Sequence, residues 1–167
     1  MTLVDMAPSQ GRVLTAGELE AYVRWLAARP ELWRHHVAFG GKRRHFASIF
    51  RDDHIDVWLL CWDTDDDTGW HDHDTSSGAV AVVRGRVRET RLRIFADPMT
   101  ADFPAGTTLT FGPDHIHRMT GAVAESVSIH AYSPPLWRVG QYFFGPDGVM
   151  RRTSVSYAEE LRPLDAA

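Results

Sequence analysis

The sequence predicts an all-β domain, a sandwich or barrel of short strands, with a small helical cap on its N-terminal side. Three observations carry this expectation. From Gly41 onward, apolar and polar residues alternate with period two in short runs separated by Gly, Pro and Asp. Before Gly40-Gly41 the periodicity is helical instead. The chain has 167 residues, 44% hydrophobic and 24% charged, which suits one domain with a single core.

Residues 1–14, with Pro8, Ser9 and Gly11 and little periodicity, read as a flexible arm. Thr15-Ala16-Gly17-Glu18 has the form of a capping box, in which the Thr hydroxyl and the Glu carboxylate each accept an otherwise unpaired backbone N–H. Leu19, Tyr22, Val23 and Leu26 follow at helical spacing, so a helix should bury that stripe and stop near Arg29-Pro30. A second short helix is expected from Pro30 to about His36, anchored by Leu32 and Trp33, with His35 and His36 suiting its C-terminal dipole. These helices form a cap over 15–38. Eight strands are expected after it: Arg44 to Phe50, Ile55 to Trp62, Ser77 to Arg84, Arg86 to Ile94, Thr107 to Phe111, Glu125 to Tyr132, Trp137 to Phe144 and Val149 to Ser156. They make a barrel over 44–157 that closes to hide its edges, so the domain runs over 15–157 and 158–167 is a tail.

Composition limits the partners. A net charge of -4 and a pI near 6.1 argue against nucleic acid, whose binding requires a basic face. Cys61 is the single cysteine, so no intramolecular disulfide can form, and in Val57-Trp58-Leu59-Leu60-Cys61-Trp62 it reads as a small core hydrophobe. Met1 to Gln10 lacks the basic start and apolar core of a signal peptide, and no apolar stretch approaches the roughly 20 residues of a membrane helix. The expectation is a cytoplasmic protein, monomer or homodimer, without a membrane partner. Asp63-Thr64-Asp65-Asp66-Asp67 reads as a solvated acidic loop, since it lacks the ligand spacing and closing Glu of an EF-hand.

The chemistry centres on Gly69-Trp70-His71-Asp72-His73. In an extended strand residues i and i+2 share a face, so His71 and His73 can reach one metal ion. An isolated H-x-H pair among 9 histidines is equally well two solvated side chains, so a third ligand matters. Pro113-Asp114-His115-Ile116-His117-Arg118 offers His115 or His117. Three neutral imidazoles would leave a divalent cation its full charge and open positions, and the ligand set alone does not name the metal. In Ser126-Val127-Ser128-Ile129-His130-Ala131-Tyr132, strand geometry puts Ser128, His130 and Tyr132 on one face. A hydroxyl, an imidazole and a phenol in a row can form a hydrogen-bonded relay that fixes the tyrosine hydroxyl over an open metal position.

His71-Asp72-His73, Gly78 and Gly85 before Arg88-Glu89, His117-Arg118, and Ser128-Ile129-His130-Ala131-Tyr132-Ser133-Pro134-Pro135, in this order and spacing, resemble the cysteine dioxygenase family of thiol dioxygenases. The likeness covers about half the chain, Val57 to Pro135. The family belongs to the cupins, so the resemblance implies a cupin-type jelly-roll β-barrel. It implies Fe(II) held by His71, His73 and His117; His115 stands where the family pattern has glycine. It further implies a small thiol and O2 as substrates, a sulfinic acid as product, and Tyr132 acting at the reacting centre with His130 and Ser128 behind it. Some members cross-link the tyrosine to a cysteine that falls at Gly78, so Tyr132 is expected unmodified. Members acting on cysteine bind its carboxylate with an early arginine, which here falls on Arg44, with His45 and Ser48 as rivals if the alignment shifts. The alternatives are a cupin enzyme with another divalent metal and other chemistry, or a non-catalytic small-molecule-binding cupin.

Overall fold

A computed structural model describes residues 11–156. The expected tail, and the expected arm up to residue 10, lie outside the described residues. Leu14, assigned to the arm, is instead buried, and its N–H donates to Ser133 Oγ at 2.8 Å. The chain then forms α1 (Ala16–Ala27) and eleven strands: β1 (Phe46–Arg51), β2 (Asp56–Trp62), β3 (Trp70–Asp72), β4 (Ser77–Arg84), β5 (Arg86–Arg93), β6 (Ala96–Pro104), β7 (Thr108–Phe111), β8 (His117–Gly121), β9 (Ser126–Ser133), β10 (Arg138–Phe144) and β11 (Met150–Ser156).

The capping box forms at α1, with Thr15 N–H donating to Glu18 Oε2 at 2.8 Å and Glu18 N–H to Thr15 Oγ1 at 3.3 Å. The buried residues of α1 are Leu19, Tyr22, Val23 and Leu26, the stripe read from spacing. The second helix does not form as one piece. It is two 3-10 turns, Pro30–Leu32 and Arg34–His36, split at Trp33, whose backbone leaves helical geometry at φ -133°. Trp33 is drawn into the core, and its indole N–H donates to Leu26 O at 3.1 Å, satisfying a carbonyl at the end of α1.

The strands build two antiparallel sheets, one of five in the order β1-β2-β9-β4-β7 and one of six in the order β11-β10-β3-β8-β5-β6. This is the jelly-roll class expected, as a sandwich whose edge strands stay unpaired on their outer sides rather than a barrel closed by hydrogen bonds. Gly85 makes the corner where the chain leaves one sheet for the other. Its φ is +69°, and a Cβ there would meet Ser126 Oγ at 2.2 Å, so both conformation and space require glycine. Three strands were missed by pattern: β3, with three residues, is too short to show a period; β8 alternates buried with more exposed positions, but its buried ones are His117, Met119 and Gly121 rather than an apolar run; and β6 carries Pro98 and Pro104, tolerated because β6 is an edge strand pairing with β5 alone.

Both faces of the five-stranded sheet are covered. Val57, Leu59 and Cys61 of β2 and Val127, Ile129 and Ala131 of β9 pack with α1 in one core. Trp58, Leu60 and Trp62, with Val80 and Val82 of β4, face the other way, against Val87, Met119 and Val139 of the six-stranded sheet. This is why every residue of β2 and β9 is buried. Cys61 is a free buried thiol, and burial pushes its pKa up, consistent with a packing role. Among the described residues no helix is long and apolar enough to cross a membrane.

Leu26 is fully buried between α1 and the sheet. Leu26→Ala is expected to cost about 2–5 kcal/mol in urea unfolding, and Thr15→Ala about 1 kcal/mol.

Candidate metal centre

The polar groups of the two inner faces meet across the space between the sheets. His71 lies on β3 and is the cross-strand partner of His117, the first residue of β8, and His73 follows β3 directly. All three imidazoles are buried, and their candidate ligand nitrogens lie within 4.8 Å of one another. Asp72, between the two histidines, faces the opposite way and holds β3 in place. Its carboxylate accepts from the N–H groups of Asp74 and Gly140 (2.9 Å each), from Tyr142 Oη (2.6 Å) and from Arg152 Nε (2.7 Å). Burial disfavours its charge, but the Arg152 and Tyr142 hydrogen bonds outweigh that and hold the carboxyl far below the usual range.

The tautomers of two rings follow from their neighbours. His71 Nδ1 donates to Gly69 O at 3.1 Å, presenting Nε2 as the ligand atom. His117 Nδ1 donates to Glu89 Oε1 at 2.8 Å, and Glu89 Oε1 also accepts from His115 Nε2 at 2.7 Å. Burial raises the Glu89 pKa, yet the hydrogen bonds from His115 and His117 more than offset this and bring it to about 2, so Glu89 is ionised and acts as acceptor only. His117 Nε2 and both ring nitrogens of His73 are buried with no hydrogen-bond partner. Burying such atoms unpaired is costly, and a shared cation would satisfy His117 Nε2 and one of the two His73 nitrogens. Burial lowers the His117 pKa to about 3 and that of His73 well below its usual value, so both rings are neutral and keep a lone pair to coordinate with. The residues present therefore fit a divalent cation.

β9 supplies the facing wall. Ser128 Oγ lies 2.7 Å from His130 Nε2, and His130 Nδ1 lies 3.1 Å from Tyr132 Oη. A fourth member, Trp62 of β2, donates its indole N–H to Ser128 Oγ at 2.7 Å. Burial lowers the His130 pKa to about 3, assisted by the Arg44 charge. A neutral imidazole carries one ring hydrogen, so His130 donates to one of Ser128 and Tyr132 and accepts from the other.

Arg44, just before β1, is buried, with its guanidinium 4.7 Å from the centre of the Trp62 ring. It lines the same cavity as His71, His73, His117, His130 and Tyr132, whose remaining walls include the apolar side chains Trp58, Leu60, Leu136 and Val139. The cavity volume is about 40 Å³, room for about three water-sized groups. The rivals of Arg44 lie elsewhere: His45 donates to His36 O at 2.9 Å in an outer cleft, and Ser48 is exposed. The acidic loop is also more than a solvated turn, because Asp67 accepts from Arg118 Nε at 2.8 Å and ties the approach to β3 onto β8.

Trp62, Glu89 and Phe111 were not assigned roles from sequence. Phe111, on β7, stacks on His73 at 4.5 Å between ring centres and fills the space beside Gly78, where a Cβ would meet its ring at 2.2 Å. Gly78 is the cross-strand partner of Tyr132, so the slot next to the tyrosine is occupied by an aromatic ring from another strand.

The jelly roll, with histidines gathered at a cavity between the sheets, gives the chain the cupin fold and a group of side chains that could hold a metal ion. Solved structures of similar fold include an RmlC-like cupin protein from Desulfovibrio desulfuricans (14% identity, 59% of this chain and 90% of that one, TM-score 0.51). They also include a conserved double-stranded β-helix protein from Klebsiella pneumoniae (10% identity, 72% and 92%, TM-score 0.53) and BH2720 from Bacillus halodurans (16% identity, 88% and 95%, TM-score 0.51). At these identities the likeness concerns the fold. A family model of cysteine dioxygenase type I matches residues 10–143, and the chain belongs to that family. No curated protein matches the sequence.

His130 has a folded pKa of about 3 against an ordinary value near 6.5. In the window between these values the unfolded chain binds a proton that the folded chain does not, so stability is fully present above about pH 6.5 and falls as pH drops toward 3. Urea unfolding of the chelator-treated protein from pH 7 to 4 is expected to show this loss, with a shallower slope in His130→Gln.

Proposed function

We propose that the protein is an Fe(II)-dependent thiol dioxygenase that adds both atoms of O2 to the sulfur of a small thiol bearing a carboxylate, cysteine or a related compound. The observation that carries this reading is the single cavity in which the buried nitrogens of His71, His73 and His117 face the Trp62-Ser128-His130-Tyr132 chain, with Arg44 on the same wall. Membership of the cysteine dioxygenase type I family supports it. The reaction balances without an external reductant: a thiolate and O2 give a sulfinate, with sulfur losing four electrons and dioxygen gaining them.

His71, His73 and His117 would hold the iron, which when bound supplies the redox centre at which sulfur and oxygen react. As neutral ligands they leave the cation its full charge, favouring the deprotonated thiol over the neutral one. Arg44 meets the substrate carboxylate; its burial against Trp62 keeps that pairing out of bulk water, where it would be weaker. Trp58, Leu60, Leu136 and Val139 exclude water from the reacting end. With Trp62 donating to Ser128 and Ser128 to His130, the imidazole donates to the phenol oxygen, and Tyr132 in turn donates its hydrogen to the substrate side of the cavity. Tyr132 and Arg44 are the residues that would touch substrate, and His130 and Ser128 set the phenol's direction.

Three measurements test this. Anaerobically iron-loaded protein should consume dioxygen only when a thiol is added, and labelled dioxygen should deliver both atoms to the product; no thiol-dependent uptake across a panel of cysteine, cysteamine and mercaptopropionate would sink the reading. Tyr132→Phe is expected to lower kcat by about 10²-fold. Arg44→Gln is expected to raise KM for thiols with a carboxylate by about 10-fold or more while leaving KM for cysteamine near its wild-type value.

A further inference from the structure

One histidine at the centre has no place in the reading above. His115 does not line the cavity, although its ring is largely buried, 16% exposed. It belongs with Glu89 and His117 to a second group of potential metal-binding side chains. That group is already closed: His115 Nε2 and His117 Nδ1 both donate to the same oxygen, Glu89 Oε1, at 2.7 and 2.8 Å, so a cation there would have to displace both hydrogens from an ionised carboxylate. The face of the His115 ring has a second occupation. It stacks on Phe111 at 5.4 Å between centres with only 12° between planes, and the same Phe111 ring also stacks on His73, 4.5 Å away at 21°.

These contacts join end to end. His73 leans on Phe111, Phe111 on His115, His115 donates to Glu89, and Glu89 accepts from His117. His73 needs such a support, because neither of its ring nitrogens has a hydrogen bond to set the ring's rotation, unlike His71 with Gly69 and His117 with Glu89. Two ring contacts, Phe111 stacked at 4.5 Å and Tyr132 tilted at 5.2 Å, orient it instead.

We propose that His115 is a positioning residue that braces two of the three candidate ligands from behind, setting His73 through Phe111 with its ring face and His117 through Glu89 with its Nε2. The brace requires glycine at position 78, where any Cβ would push into the Phe111 ring. The inference rests on the reading of His71, His73 and His117 as metal ligands.

The test uses Co(II), whose visible absorption reports the geometry of its ligands, bound to the full chain. Affinity is measured by competition with a chelator for wild type, His115→Ala, His115→Gln and Phe111→Leu, and the melting temperature of each metal-free variant is recorded alongside. His115→Ala and Phe111→Leu are each expected to weaken Co(II) binding about 10-fold or more, in the range for groups that orient metal ligands, and to shift the visible bands. His115→Gln, whose amide can still donate to Glu89, should fall between wild type and His115→Ala. In the double variant the losses should fall short of the product of the single ones, because both act on His73 through one stack. Wild-type affinity and spectrum in both His115 variants would overturn the brace while leaving the metal centre intact. Failure of the wild type itself to bind Co(II) would remove the metal-centre reading and the brace with it. If His115→Ala lowers the metal-free melting temperature, His115→Gln and Phe111→Leu decide the question on the same readouts.

Discussion

Three buried imidazoles placed side by side between two sheets are the constraint around which the rest of this structure is arranged. A buried ring brings polar nitrogens that need partners, and for His73 and His117 burial disfavours the alternative of protonation. The surrounding residues deal with the hydrogens: Gly69 O takes that of His71 and Glu89 that of His117. One ring nitrogen of each histidine is left within 4.8 Å of the others, close enough to share a cation. Glu89 is ionised at this depth only because two ring N–H groups converge on one of its oxygens.

That arrangement divides the work between the sheets. The candidate ligands come from the six-stranded sheet, where β3 is held by β8 on one side and by β10 on the other. The three-residue β3 has few ladder bonds of its own, and the Asp72 carboxylate, gripped by Arg152, Tyr142 and two backbone N–H groups, compensates. The hydrogen-bonded chain of Trp62, Ser128, His130 and Tyr132 comes from the five-stranded sheet. There β9 is central, flanked by β2 and β4 along its length and backed by α1, so the side chains of Ser128, His130 and Tyr132 stand on a rigid base. Trp62 links this chain to Arg44, with its edge on Ser128 and its face toward the guanidinium.

Much of the fold was legible in the sequence because it is written in local periodicity. The capping box, the buried stripe of α1 and the longer strands repeat at the intervals that backbone geometry imposes, and the structure has them within a residue or two of the expected ends. What local pattern missed has a physical cause in each case. A strand of three residues cannot display a period of two; an edge strand can carry proline; and the Pro30 to His36 segment breaks because Trp33 gains more from the core and from Leu26 O than from continuing a helix.

For the site, the sequence by itself determined which side chains share a face: His71 with His73, and Ser128 with His130 and Tyr132, since alternation along a strand is a property of the backbone alone. Strand geometry alone left open whether His115 or His117 joins the first pair, and whether Arg44, His45 or Ser48 looks into the cavity; the family resemblance pointed to His117 and Arg44. Their placement turns on register and on loops, where a shift of one residue reverses the face, and the packing of the two sheets puts His117 and Arg44 at the cavity wall. The same packing brought in Trp62, Glu89 and Phe111 from strands remote in sequence. Glu89 lies in a stretch that carries the family resemblance, but no local pattern shows what these three do, because they satisfy or support groups that reach them only once the sheets have closed.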